Sequence, residues 1–259
     1  MIITLLTDFG YQGPYVAAMK GVILSRVPGA TLVDLTHVIT PQNVLEGAFV
    51  LAGIHDCFPE GTIHLAVVDP GVGTDRRLVA ARVDARWYVL PDNGLLSGVL
   101  ATHEAEAVYL IDNPSIRRPR VSNTFHGRDI LAPAAAHLAS GGAASSLGPK
   151  VETLTTLEMY RPAEDGNDVI GEVIFRDSFG NLVTNVTRDH IGQGRPTITI
   201  KGATVSRFVR TYADAPEGEL VALEGSSGWI EVAVVNGDAA QRLDAGPGTT
   251  VRFRRETRS

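Results

Sequence analysis

Two segments of the 259-residue chain carry side chains that together could ready a water molecule for attack. Asp69-Pro70-Gly71-Val72-Gly73-Thr74-Asp75-Arg76-Arg77 sets a carboxylate and a guanidinium on a glycine-rich loop. Its glycines match half of a dinucleotide fingerprint, but Arg76 stands where the third glycine belongs, and the Gly-Lys-Ser/Thr ending of a phosphate loop is missing. They read instead as backbone freedom for a tight turn that could bring Asp69 and Arg76 to one point. A solvated surface cation is the competing reading of Arg76. Thr124-Phe125-His126-Gly127-Arg128-Asp129 adds an imidazole just before, or at the start of, a helix. If His126 meets Asp69 and Arg76, the three form an acid, a fixed cation and a titratable base. Arginine keeps its proton, so it would stabilise hydroxide by charge alone. Asp69 or His126 would then take the proton.

Other segments read as binding elements. Asp8 and Asp69 each end an apolar strand, where ligands of open parallel sheets bind; an Asp there is equally a turn former. Asp177-Ser178-Phe179-Gly180-Asn181 places an acid, an aromatic ring and an amide within five residues, a set able to hold a nucleoside or simply to turn the chain. Ser226-Ser227-Gly228 could present hydroxyls and amides to a carboxylate. A serine nucleophile is not expected, because no Gly-x-Ser-x-Gly elbow is present. His37, His55, His64, His103, His137 and His190 show no pairing pattern and the zinc-protease motif is missing, so no metal site is expected. The single cysteine, Cys57, excludes an intrachain disulfide and a zinc site built from cysteine pairs.

The elements that must position these groups alternate in the first part of the chain. Strands are predicted at Ile2–Leu6, Thr31–Leu35, Ile63–Val68 and Ala107–Ile111, with a hairpin of Leu78–Val83 and Trp87–Leu90 around Asp84-Ala85-Arg86. Pro14 opens a helix with Val16, Met19 and Ile23 on one face, and Pro41 opens a second with Val44, Ala48, Leu51 and Ala52. Leu95–Ala101 reads as a short helix and His126–Ala139 as a longer one. This is an α/β pattern with a mostly parallel sheet covered on both faces. Residues 147–168 read as a linker rich in Pro, Gly, Thr and acids. Beyond it, strand-like runs at Val169–Phe175, Thr197–Ile200, Leu220–Leu223, Trp229–Val235 and Thr249–Phe253 suggest a smaller β domain, barrel or sandwich. The expected domains are 1–160 and 161–259.

With 44% hydrophobic and 20% charged residues, the chain has material for a real core. Its net charge of -6 argues against a nucleic-acid surface. The tail Arg252, Arg254, Arg255 and Arg258 reads as a solvated basic end, and Arg117, Arg118 and Arg120 as a loop cluster. No run reaches the roughly 18 apolar residues of a membrane span. The start carries no basic leader, so a cytoplasmic enzyme is expected.

Taken in order, Thr7-Asp8-Phe9-Gly10, Asp69-Pro70-Gly71-Val72-Gly73-Thr74, Pro91-Asp92-Asn93-Gly94, Thr124-Phe125-His126-Gly127-Arg128-Asp129 and Phe179-Gly180-Asn181-Leu182-Val183-Thr184-Asn185 resemble the S-adenosylmethionine (SAM) hydroxide adenosyltransferases, relatives of the SAM-dependent fluorinase and chlorinase. Each motif is weakly specific alone; the ordered set spans nearly the whole chain.

The resemblance implies an N-terminal α/β/α sandwich and a C-terminal β-barrel. It also implies a homotrimer whose sites lie between subunits, with SAM as substrate and adenosine as product. By the same resemblance Asp69, Arg76 and His126 are catalytic. Asp8 would hold the ribose hydroxyls and Phe179 and Asn181 the adenine. Asp177 would lie near the methionine amine, Ser226 and Ser227 at its carboxylate, and Tyr15 at the methionine end. The halogenases carry tyrosine in place of Asp69 and lack this histidine. Gly127 stands where the fluorinase has a halide-binding serine, although the chlorinase has glycine there too. The implied reaction is hydrolysis of SAM at the ribose C5′, with no metal or redox cofactor. A chloride-using halogenase and a SAM- or adenosine-binding protein without turnover are the alternatives.

Overall fold

The structure is a computed structural model, and it describes residues 1–157, 161–192, 194–205 and 207–255. The chain divides into two compact units, 1–159 and 160–259.

In the first unit the elements run β1 (Ile2–Thr7), α1 (Tyr15–Arg26), β2 (Thr31–Thr36), α2 (Val44–Ile54), β3 (Ile63–Val67), β4 (Leu78–Val83), β5 (Arg86–Pro91), α3 (Ser97–Leu100), β6 (Ala105–Leu110) and α4 (Ala132–Ala139). The strands form one sheet of order β2-β1-β3-β5-β4-β6. β2, β1, β3 and β5 pair in parallel, and β4 joins β5 and β6 antiparallel. Both sheet faces are covered. Ile3, Leu5, Leu65 and Val67 pack with Met19, Ile23 and the Leu131–Leu138 stretch. Leu6, Ala66, Val68 and Leu90 pack with Leu51, Leu95 and Val99 on the other side. Alternate residues of β1 and β3 therefore serve opposite cores, which is why these strands read as unbroken apolar runs.

Three local expectations change. Pro41 does not open α2; Asn43 caps it, its side chain accepting from Glu46 N at 3.1 Å, and Pro41 lies in the turn before. The helix expected from His126 begins as a π-type turn, Gly127–Leu131, before α4. The expected linker is partly packed: Val151 and Leu154 lie against the core, and Val151 N donates to Val108 O at 2.9 Å.

The second unit contains β7 (Ala163–Asp165), β8 (Asp168–Arg176), β9 (Leu182–Thr187), α5 (Arg188–Ile191), β10 (Thr197–Ile200), β11 (Ala203–Val205), β12 (Leu220–Glu224), β13 (Trp229–Val234), α6 (Ala239–Leu243) and β14 (Thr250–Arg254). The antiparallel path β11-β10-β14-β8-β9-β13-β12 curls until Ala222 of β12 bonds both Arg207 and Val209, just past β11, nearly closing a barrel. β9 fills the position beside β8 that the expected strands left open. The arginine tail is exposed at Arg252 and Arg254, as a solvated basic end would be, but its side chains are paired. Arg252 and Arg254 lie on β14 and both donate to Asp168, while Arg255 pairs with Glu164; Arg258 lies outside the described residues.

Candidate active site

β1 and β3 are adjacent and parallel, with Thr7 opposite Val67, so Asp8 and Asp69 leave the same rim of the sheet. After Asp69 the chain turns tightly. Val72 N donates to Asp69 O at 3.2 Å and Thr74 Oγ1 to Gly71 O at 2.7 Å. Gly73 has φ +82°, and a Cβ there would lie 2.5 Å from the carbonyl oxygen of Asn123, so only glycine lets this loop pass the segment that carries His126.

The turn folds Arg76 back on Asp69. Its Nε donates to Oδ1 at 2.6 Å, and its Nη2 donates to Oδ2, a bidentate pair with both side chains largely buried. Nη2 also donates to His126 Nδ1 at 3.1 Å. The sequence-predicted acid, guanidinium and imidazole are thus joined. Burial and the Arg76 charge push the His126 pKa below its usual value, and Asp69 only partly opposes them. With Nδ1 accepting from Arg76, the neutral ring carries its proton on Nε2.

Two residues of the Pro91–Gly94 motif hold this loop from behind. Asn93 Nδ2 donates to the carbonyl of Val68, immediately before Asp69, at 2.9 Å. Asp92 N donates to the carbonyl of Arg77, immediately after Arg76, at 3.0 Å, and its buried carboxylate pairs with Arg77. The motif was legible as part of the resemblance, but its residues were assigned no role from the sequence.

The Thr124–Asp129 motif is anchored by Asp129. Its fully buried carboxylate accepts from Arg128, Arg118 and Ser122 N. Burial alone would raise its pKa; these hydrogen bonds overcome that and bring it down to about 2. Phe9, Tyr15 and Phe125 form an aromatic cluster with centroids 5.3–5.9 Å apart, tying the segment after Asp8 to the one before His126. Asp8 Oδ2 accepts from Gln42 N at 2.8 Å. At Gly127 a Cβ would lie 3.3 Å from Met19 Sδ, so the backbone beside His126 is closely packed.

The second unit gathers its own candidates around a cavity of about 880 Å³ lined by Asp177, Phe179, Asn181, Tyr212, Ser226 and Glu231, among others. Asp177 shapes this loop: Oδ1 accepts from Phe179 N at 2.9 Å and Asn181 N at 2.8 Å, and Oδ2 from Asn181 Nδ2 at 2.9 Å. Phe179 is thereby presented 77% exposed. Ser226 and Ser227 form the tip of the β12–β13 hairpin, but only Ser226 is among the cavity-lining residues. Tyr212 and Glu231 carry no motif and went unread in the sequence. The Tyr212 hydroxyl donates to Glu231 Oε2 at 3.0 Å and accepts from Asn181 Nδ2 at 3.3 Å. Burial, then the Glu231 charge, pushes the Tyr212 pKa up to about 12, and burial raises that of Glu231.

A joined carboxylate, guanidinium and imidazole at the rim of a mostly parallel sheet, followed by an antiparallel barrel-like unit, define a two-part α/β enzyme. Residues 3–148 match the SAM hydroxide adenosyltransferase N-terminal domain, and residues 171–252 match its C-terminal domain. The chain belongs to the SAM hydroxide adenosyltransferase family.

It is 41% identical to the (R)-S-adenosyl-L-methionine hydrolase of Thermus thermophilus, over 96% of this chain and 97% of that one. It is 30% identical to a fluorinase of Nocardia brasiliensis, over 90% and 89%. A crystal structure of an uncharacterized conserved protein from Thermotoga maritima superposes with a TM-score of 0.90 at 33% identity, over 98% of this chain and 100% of that one. No helix among the described residues is long and apolar enough to cross a membrane.

Proposed function

We propose that the protein hydrolyses SAM to adenosine and methionine by attack of water at the ribose C5′. The observation that carries this reading is the Asp69–Arg76–His126 cluster at the rim shared with Asp8. Water donates to Asp69, whose oxygens each keep a lone pair beyond the Arg76 bonds, while Arg76 balances the charge of that carboxylate and His126 braces Arg76. As the new C5′–O bond forms, the C5′–S bond breaks and its electron pair returns to sulfur. The water proton passes to Asp69 and then to solvent. The sulfonium leaves as neutral methionine thioether, so no general acid assists departure. Catalysis then rests on alignment of the nucleophile and on removal of its water shell. Arg76 holds Asp69 at a charge balance near zero, yet its donors are largely engaged, which leaves little to hold a halide.

In this reading Asp8 accepts the ribose hydroxyls, Phe179 and Asn181 take the adenine, and Asp177, Ser226, Ser227 and Tyr15 serve the methionine end. The assembly is a homotrimer, with each site between neighbouring subunits, and works in the cytoplasm. The exposure of Tyr11 at 66%, Val38 at 65% and Phe179 at 77% supports surfaces that another subunit covers. Neither a metal nor a redox cofactor takes part in the reaction.

The test is product analysis after incubation with SAM in ¹⁸O-water, with and without chloride. Label in the adenosine 5′-hydroxyl is expected. Chloride-dependent formation of 5′-chloro-5′-deoxyadenosine, or absence of adenosine, overturns the proposal.

A further inference from the structure

The sheet rim opposite Asp69 holds a second cluster. Asp69 follows β3, whereas the Asp84–Ala85 turn precedes β5, which runs parallel to β3. At this turn, one ligand atom from each of His55, Asp56, Asp84 and His103 lies within 4.8 Å of all the others. The His55 side chain is 3% exposed, and its Nε2 is buried without a hydrogen-bond partner. That nitrogen lies 3.9 Å from Asp56 Oδ1 and 3.6 Å from Asp84 Oδ2, too far for hydrogen bonds. A buried imidazole nitrogen with no partner is costly unless something pairs with it.

The remaining contacts fix both rings for an ion. His55 Nδ1 is 2.5 Å from the Tyr88 hydroxyl, and His103 Nδ1 is 2.9 Å from Thr102 Oγ1, which leaves the Nε2 of each ring as the outward nitrogen. The ring centroids are 4.2 Å apart. Arg86 donates to Asp84 and steadies that carboxylate, as outer-shell partners of metal ligands do.

From this geometry we propose a zinc-class divalent metal site built by His55, Asp56, Asp84 and His103. Two imidazoles and two carboxylates suit the borderline ions of the zinc type. Tetrahedral donors sit ~3.4 Å apart when each is ~2.1 Å from the metal. The exposed Asp56 and Asp84 and the half-buried His103 reach that spacing by small rotamer changes. The ion ties the end of α2, the β4–β5 turn and the residues after α3 into one joint, away from the reacting centre. The expectation of no metal site followed from sequence spacing; Asp84 comes to His55 through the sheet, and His103 through the packing of α3 against α2.

The experiment uses tag-free full-length protein after chelator treatment, titrated with Co²⁺ and then Zn²⁺. One equivalent of Co²⁺ should give the visible absorption of a tetrahedral centre, lost when Zn²⁺ displaces it, and Zn²⁺ should raise the Tm. His103→Ala and the double variant Asp56→Asn/Asp84→Asn should each weaken affinity by roughly tenfold or more. Both keep the buried His55, whose removal endangers folding. No saturable binding by the wild-type protein, or unchanged affinity in His103→Ala, overturns the site.

Discussion

Nη2 of Arg76 donates to Nδ1 of His126 at 3.1 Å while the same guanidinium grips Asp69. This bond sets the histidine tautomer and points its Nε2 hydrogen away from the pair. Asp69 is therefore the group with lone pairs to offer water, and His126 acts as a donor and as a brace for Arg76.

Replacing Asp69 by Asn should lower kcat by about 10²–10⁴-fold with KM changed by less than about threefold, the signature of a group that moves a proton. His126→Ala should also lower kcat more than it weakens substrate binding. Steady-state kinetics with calorimetric SAM binding separates the effects. Parallel losses in kcat and affinity would assign these residues to positioning.

Protonating His126 removes the lone pair that Arg76 uses and adds a like charge beside it. Its pKa lies below the ordinary histidine value because of burial and then Arg76. Activity should hold at neutral pH and fall only on the acid side of the usual histidine range. The matching check is a ring-proton NMR titration of His126, expected to turn over below about 6.5.

Asn93 touches the carbonyl next to Asp69 and not the site itself. Asn93→Ala should reduce kcat by about tenfold through loss of alignment, with KM little changed. Asn93→Ser, which keeps a donor, should recover part of the loss. A merely structural role would lower the Tm without this kinetic split.

His64 is fully buried on β3, against Thr4 Oγ1 at 2.8 Å and stacked on Tyr88. Burial foremost, then His55 and Arg86, push its pKa down to about 4. Between about pH 6.5 and pH 4 the unfolded chain therefore binds a proton that the folded chain refuses. Stability should fall as pH drops through that window, by up to about 3 kcal/mol. Urea unfolding at pH 7 and pH 5 should show about 2 kcal/mol of this loss, and His64→Gln should flatten it.

Much of this was legible because strands and turns announce themselves locally. The apolar runs ending at Asp8 and Asp69 placed both acids on one rim, and the glycines of the Gly71–Gly73 turn gave the means of bringing Arg76 back. What stayed hidden depends on distant partners. The β9 strand, Leu182–Thr187, mixes Thr and Asn with Val and reads as a strand only beside β8 and β13. Asn43 outranked Pro41 because a side-chain cap satisfies an amide that proline cannot. Tyr212 and Glu231 meet across the barrel from separate stretches, and His55 and His103 meet across two helix ends, so neither pair has a spacing to read.

Because Asp8 and Asp69 leave neighbouring strands in register, their separation is fixed by the hydrogen-bond ladder between β1 and β3. The sixty intervening residues can grow or shrink at their loops without moving either acid. A single-residue deletion inside β3, by contrast, would turn every side chain of that strand to the wrong core and withdraw Asp69 from Arg76. Changes of length are thus absorbed by the connections between the two acids and excluded from β1 and β3 themselves.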